Sequence, residues 1–174
     1  MMKLKMLAFT RLFVLTAIFL SVTITAKSNT AYRIVMSSDA SESERWAGEE
    51  LQHWLYEISG QYLPFQYGDY NGSRIVLGYN EEIGKKTGKP APAFDDESYH
   101  YFSDSGNVYI YGGKERGTMY GVFSFLENEF GCRWYTPLVT VVPKKQKLEF
   151  GKYDVRSTPG IRVRNDFYFE AFNT

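Results

Sequence analysis

Arg116-Gly-Thr-Met-Tyr-Gly-Val-Phe-Ser-Phe-Leu-Glu-Asn-Glu-Phe-Gly-Cys-Arg-Trp-Tyr135 is the stretch that organises this chain. Met119, Val122, Phe123, Leu126 and Phe130 recur at the three- and four-residue steps of one helix face, which predicts a helix from about Glu115 to Glu129. Gly131 follows as a left-handed C-cap. Gly117 and Gly121 lie four apart, on one side of that helix. A mid-helix Gly costs about 1 kcal/mol relative to Ala. The compensation expected at Gly121 is a close approach of helix to sheet, where a Cβ would clash.

Upstream, Tyr32 to Met36 reads as a strand. Ser41 and Glu44 stand in capping-box spacing. Ala47, Leu51, Trp54, Leu55 and Ile58 then form the apolar face of a first helix that ends at Gly60. Tyr62 to Tyr67 is a short strand that Pro64 marks as an edge, and Ser73 to Leu77 is another. Residues 79–96, with Gly84, Gly88, Pro90 and Pro92, read as a surface excursion. Glu97 to Ser103 and Asn107 to Tyr111 form a hairpin around Asp104-Ser-Gly-Asn107. Downstream, Arg133 to Tyr135, Thr140 to Val142 and Lys147 to Phe150 are short strands, and Val155 to Pro159 is a linker. Two helices interspersed among hairpin-joined strands predict an α+β fold: a mixed, mostly antiparallel sheet with both helices packed on one face.

The 174 residues leave room for one domain behind a leader. Lys3, Lys5 and Arg11 precede an apolar run from Leu12 to Val22, and small and polar residues lead to Ala26. That is the layout of a secretory signal peptide. The run is short of the roughly 20 residues that span a bilayer. The expectation is a secreted or periplasmic protein, with residues 1–26 removed and no membrane attachment after cleavage. Without them, 17 basic residues face 20 acidic ones. This balance argues against a nucleic-acid partner, which would select a basic surface. Cys132 is the sole cysteine, so an internal disulfide is excluded. Aromatic residues make up 17% of the chain, a composition that suits both strands and sugar-binding surfaces.

Catalytic patterns are sparse. His53 and His100 stand in no zinc-binding spacing, so no metal is expected. Gly112-Gly113 lacks the remainder of a phosphate loop and reads as a tight turn, so no cofactor is expected. No Gly-x-Ser-x-Gly elbow is present. The carboxylates Asp95-Asp96-Glu97, Glu127 with Glu129, and Asp166 with Glu170 read as solvated acids, and no catalytic residue is assigned. Trp134 and Tyr135, near Pro137, have two readings. They form a platform on which a sugar ring stacks, or Trp134 seals the core at the end of the second helix.

The motif Arg116-Gly-Thr-Met-Tyr-Gly-Val-Phe-Ser-Phe-Leu126, the ending Gly131-Cys-Arg-Trp-Tyr135 and the first-helix segment Ala47 to Gly60 together resemble the N-terminal domain of bacterial α-glucuronidases. More loosely, they resemble the domain ahead of the barrel in β-N-acetylhexosaminidases. The resemblance covers roughly residues 32–170. It implies that Pro159-Gly-Ile-Arg-Val-Arg164 enters the first strand of a (β/α)₈ barrel and that Arg164 contacts substrate, a task that suits a guanidinium fork. It also implies that the acid and base carboxylates lie on later barrel strands.

The domain organisation expected is therefore a signal peptide over 1–26, an α+β domain over 27–158 and the start of a catalytic barrel over 159–174. Phe167, Tyr168, Phe169 and Phe172 would belong to that barrel's core. The function expected is that of a non-catalytic N-terminal domain of a secreted, α-glucuronidase-like glycoside hydrolase, packed against a C-terminal catalytic barrel that acts on a glycan. A stand-alone secreted carbohydrate-binding module is the alternative. Arg164 and Trp134 are the candidate substrate contacts.

Overall fold

The computed structural model describes residues 32–160 except Pro137. Residues 1–26, expected to be a leader, lie outside the described residues, as do Arg164, Asp166, Glu170 and the four aromatic residues near the C-terminus. Strand β1 (Arg33–Met36) leads into helix α1 (Glu42–Ser59), followed by β2 (Phe65–Tyr67) and β3 (Arg74–Leu77). A short helix α2 (Glu81–Thr87) precedes the hairpin of β4 (Tyr99–Asp104) and β5 (Asn107–Gly112). Helix α3 (Gly117–Phe125) runs into a π-helical turn over Leu126–Phe130, followed by β6 (Arg133–Thr136), β7 (Val139–Val141) and β8 (Asp154–Ser157).

Six strands form one sheet in the order β2-β1-β3-β5-β4-β8, and β6 pairs with β7 in a separate two-stranded sheet. The α+β class and the mixed sheet expected from the sequence are both present. The pairings divide evenly among the described residues. The pairs β2–β1, β1–β3 and β3–β5 are parallel, whereas β4 pairs antiparallel with β5 and β8, and β6 with β7. Helix α1 makes the β1-to-β2 crossover that a parallel pair requires.

Side chains alternate across the sheet, as a two-residue period dictates. Ile34, Met36, Ile75, Leu77, Tyr101, Val108 and Ile110 face the two long helices. Ala47, Leu51, Leu55 and Ile58 of α1, with Val122, Phe125, Leu126 and Phe130 of the second helical segment, complete that core. Each fully buried Leu, Ile or Phe contributes about 1.5–3 kcal/mol. Both long helices thus pack on one face, as expected. Helix α1 starts on the capping box: the Glu44 N–H donates to Ser41 Oγ at 3.1 Å, and the Ser41 N–H donates to Glu44 Oε2 at 2.9 Å. It ends on Gly60 at a φ of 69°.

The opposite face was not foreseen. Val35, Val76, Phe102, Tyr109 and Tyr111 pack there with Ile83 of α2. Residues 79–96, read from the sequence as a surface excursion, therefore contain a helix. Asn80 caps it by accepting the Ile83 N–H at 2.9 Å. Ile83 is its single buried residue, so no periodicity announces it. Two further corrections concern the C-terminal third. Lys147 to Phe150 forms no strand; its apolar residues Leu148 and Phe150 plug into the helix-side core. The segment read as a linker instead supplies β8, hydrogen-bonded along β4 from Tyr99–Ser157 to Phe102–Asp154.

Candidate functional site

The β4–β5 hairpin turns through Ser105 and Gly106, whose φ angles of 51° and 80° suit the tight reversal of a two-residue loop. That register sets His100 opposite Tyr111, and the pairing of β4 with β8 sets it opposite Arg156. His100 is buried. Its Nδ1 lies 3.1 Å from the Tyr111 hydroxyl and its Nε2 lies 2.8 Å from Asp154 Oδ1. Arg156 Nε lies 3.3 Å from the same Nε2. The shorter contact and the charge of Asp154 favour the neutral tautomer in which Nε2–H donates to Asp154 and Nδ1 accepts from Tyr111. Burial pushes the His100 pKa below its ordinary value. The hydrogen bond to Asp154 opposes that shift, while the charges of Arg156 and Lys89 add to it. The partner Asp154 is held below the usual carboxylate range, chiefly by that hydrogen bond.

Above this array opens a cavity of about 310 Å³. Its walls come from three places: the proline-bearing loop after α2, the β4–β5 hairpin at Ser98 and Gly112, and the end of β8 at Arg156, Ser157 and Thr158. The loop is pinned by the two glycines read as a tight turn. The Gly113 N–H donates to the Asp96 carbonyl at 3.1 Å. A Cβ on Gly117 would lie 2.6 Å from the carbonyl oxygens of both Asp96 and Ser98. The Gly-Gly break and the Gly-bearing helix therefore hold this loop against the sheet. His100 falls within the strand expected over Glu97 to Ser103. The strand alternation was visible, but partners 11 and 54 residues away were not.

Trp134, a candidate substrate contact, is half-buried in β6. Trp54 and Phe123 stand nearly perpendicular to its ring, at centroid distances of 5.4 and 5.2 Å. Trp46 extends this aromatic row beyond Phe123 at 5.7 Å. The Trp134 indole Nε1 is buried without a hydrogen-bond partner among the described residues. Its neighbour Tyr135 is exposed, as are Leu138, Val139 and Val141 of the β6–β7 ribbon. The structure does not bring Trp134 to the His100 cavity, and Arg164 lies outside the described residues. Of the acids, Glu129 accepts the Tyr101 hydroxyl at 2.9 Å and Glu127 faces Arg133 at 3.5 Å. Burial, with Glu129 adding to it, pushes the Tyr101 pKa up to about 12.

The architecture defines a class: an α+β domain of one mixed sheet carrying two long helices on one face. The particular family follows from comparison. The model of the glycosyl hydrolase family 67 N-terminus matches residues 20–125, and the chain belongs to that family. It contains an N-terminal domain of α-glucuronidase-like glycoside hydrolases. A probable α-glucuronidase A of Neosartorya fischeri is 31% identical over 96 residues, which are 53% of this chain and 11% of that protein. The chain thus spans about a tenth of the length of the curated relatives it matches. Among solved structures, a family GH115 4-O-methyl-α-glucuronidase with specificity for decorated arabinogalactans superposes with a TM-score of 0.50 at 14% identity. That match covers 76% of this chain and 18% of that one, and it shows a shared fold. The Streptomyces plicatus N-acetyl-β-hexosaminidase is 26% identical over 52% of this chain and 17% of its own, with a TM-score of 0.34.

Proposed function

We propose that this chain is the non-catalytic N-terminal domain of a secreted, α-glucuronidase-like glycoside hydrolase engaged in polysaccharide degradation, and that it works by packing against a catalytic barrel. The family match over residues 20–125 carries the reading. The surface supports it. Leu138, Tyr135, Val139, Val141 and Trp46 expose apolar area on one chain, as surfaces that another domain covers do. Substrate is an α-glucuronide-bearing glycan, and the acid and base reside in the barrel, with Arg164 at its first strand. Secretion rests on the basic start and short apolar run of residues 1–26.

The test is enzymatic. The 174-residue chain alone releases no glucuronate from α-glucuronide-bearing oligosaccharides. An antibody against it removes α-glucuronidase activity from the secreted fraction of the native organism. Hydrolysis by the chain alone, or activity that survives depletion, counts against the proposal. A second reading, a stand-alone secreted carbohydrate-binding module, draws on the exposed ring of Tyr135 beside Trp134. It requires oligosaccharide binding that is lost on Tyr135→Ala.

A further inference from the structure

We infer that the cavity above His100 is a binding site for a neutral sugar ring, separate from the Trp134 face. The inference goes beyond the proposed domain role and does not depend on it.

Three observations carry it. The first is size and construction: about 310 Å³ lies at the small end of ligand cavities, and three chain segments converge on it. The second is its complement of open polar groups. Asp96 Oδ1 accepts the Ser98 N–H at 2.9 Å, which leaves its second oxygen available. Arg156 faces Asp154 through Nε at 3.6 Å, which leaves its terminal guanidinium nitrogens available among the described residues. Among the described residues, the hydroxyls of Ser98, Ser157 and Thr158 and the ammonium of Lys89 make no hydrogen bond. The third is the floor. His100 and Tyr111 are buried and bonded to each other, so the base of the cavity is fixed before any ligand arrives.

The mixture of groups selects the ligand class. An anion would gain from Lys89 and Arg156 but would meet the carboxylate of Asp96. A cation would face the reverse. A sugar hydroxyl both donates and accepts, so a ring bearing several of them can satisfy Asp96, Arg156 and the three hydroxyls together. Pro90 and Pro92 add apolar surface for the carbon face of the ring.

The experiment is ¹H–¹⁵N NMR titration of the 174-residue chain with D-xylose and D-galactose as neutral probes and D-glucuronate as the anionic one. The inference expects saturable millimolar shifts from a neutral sugar at the amides of Ser98, Arg156, Ser157 and Thr158. Arg156→Gln weakens that binding about tenfold, the scale of a hydrogen bond to a charged group. Thr158→Ala, at an exposed position, weakens it by a smaller factor. The dispersion of the same spectra reports whether each variant is folded. Four results would overturn the inference: no saturable shift, shifts centred on Trp134 and Tyr135, glucuronate bound in preference to both neutral sugars, or unchanged affinity in a folded Arg156→Gln variant.

Discussion

Thr118 Oγ1 stands 3.3 Å from Glu44 Oε1, so the first turn of α3 is tied to the first turn of α1. The same hydroxyl accepts the Gly112 N–H at 3.1 Å. Glu44 is thereby the buried junction of the capping box, the end of β5 and the start of α3. A Cβ on Gly78 would lie 2.6 Å from Glu44 Oε1, so β3 also ends against this carboxylate. Glu44→Ala removes the acceptor of the Ser41 N–H and leaves the Thr118 hydroxyl only the Gly112 carbonyl, at 3.4 Å. The expected loss is about 1–3 kcal/mol in urea unfolding. Glu44→Gln keeps an acceptor oxygen and is expected to cost less than Glu44→Ala.

Gly121 tests the helix–sheet approach. A Cβ there would lie 2.9 Å from Ile110 Cγ2 and 3.2 Å from Tyr99 Cβ. In an open helix, Gly→Ala would gain about 1 kcal/mol. Here overpacking opposes that gain, at about 1–3 kcal/mol. Gly121→Ala is therefore expected to lower the urea midpoint. A raised midpoint would show that the sheet yields freely and that the close approach has no energetic role.

His100 gives stability a pH dependence of definite sign. Its folded pKa lies below the unfolded value near 6.5, with burial as the main cause. Below 6.5 the unfolded chain therefore binds the proton more readily than the fold does, and stability falls as pH drops from 6.5 toward the folded pKa. The depressed pKa of Asp154 works in the same direction at lower pH, its contribution fading as pH falls through the carboxylate range. Around the imidazole, Asp154 favours its protonation while Arg156 and Lys89 oppose it. His100→Asn is expected to flatten the loss of stability between neutral pH and about pH 5, as measured by unfolding midpoints.

Trp134 separates a packing role from a polar one. Its Nε1 is buried without a partner among the described residues, while its rings contact Trp54 and Phe123. Trp134→Phe removes the unpaired donor and keeps an aromatic ring, so its cost is expected to fall well below that of Trp134→Ala. The latter is expected to cost about 3–5 kcal/mol, with burial only partial here placing it at the low end. Thermal unfolding of the two variants side by side checks the order.

Local signals in the sequence were legible because their partners are close in the chain. Ser41 and Glu44, Gly60, and the Ser105-Gly106 turn each act within a few residues, and each appears where the pattern placed it. Gly121 was legible because a mid-helix glycine needs a reason, and Ile110 supplies it. Helix α2 was not, since Ile83 alone anchors it. Strand β8 was not, because its alternately exposed residues pair with β4 some 50 positions upstream. The His100 cavity depends on that same distant pairing, which brings Arg156 and Ser157 beside Ser98. Periodicity carries no information about contacts of that kind.

The central claim is that these residues serve as the front domain of an α-glucuronidase-like enzyme. Its most direct test is the mass of the native polypeptide that carries residues 32–160, captured with an antibody and measured intact. The account predicts that this sequence is physically joined to, or firmly bound by, a glycosidase barrel, with α-glucuronidase activity in the captured material. Recovery of a free chain of 20.1 kDa or less, with no such activity beside it, would contradict the account.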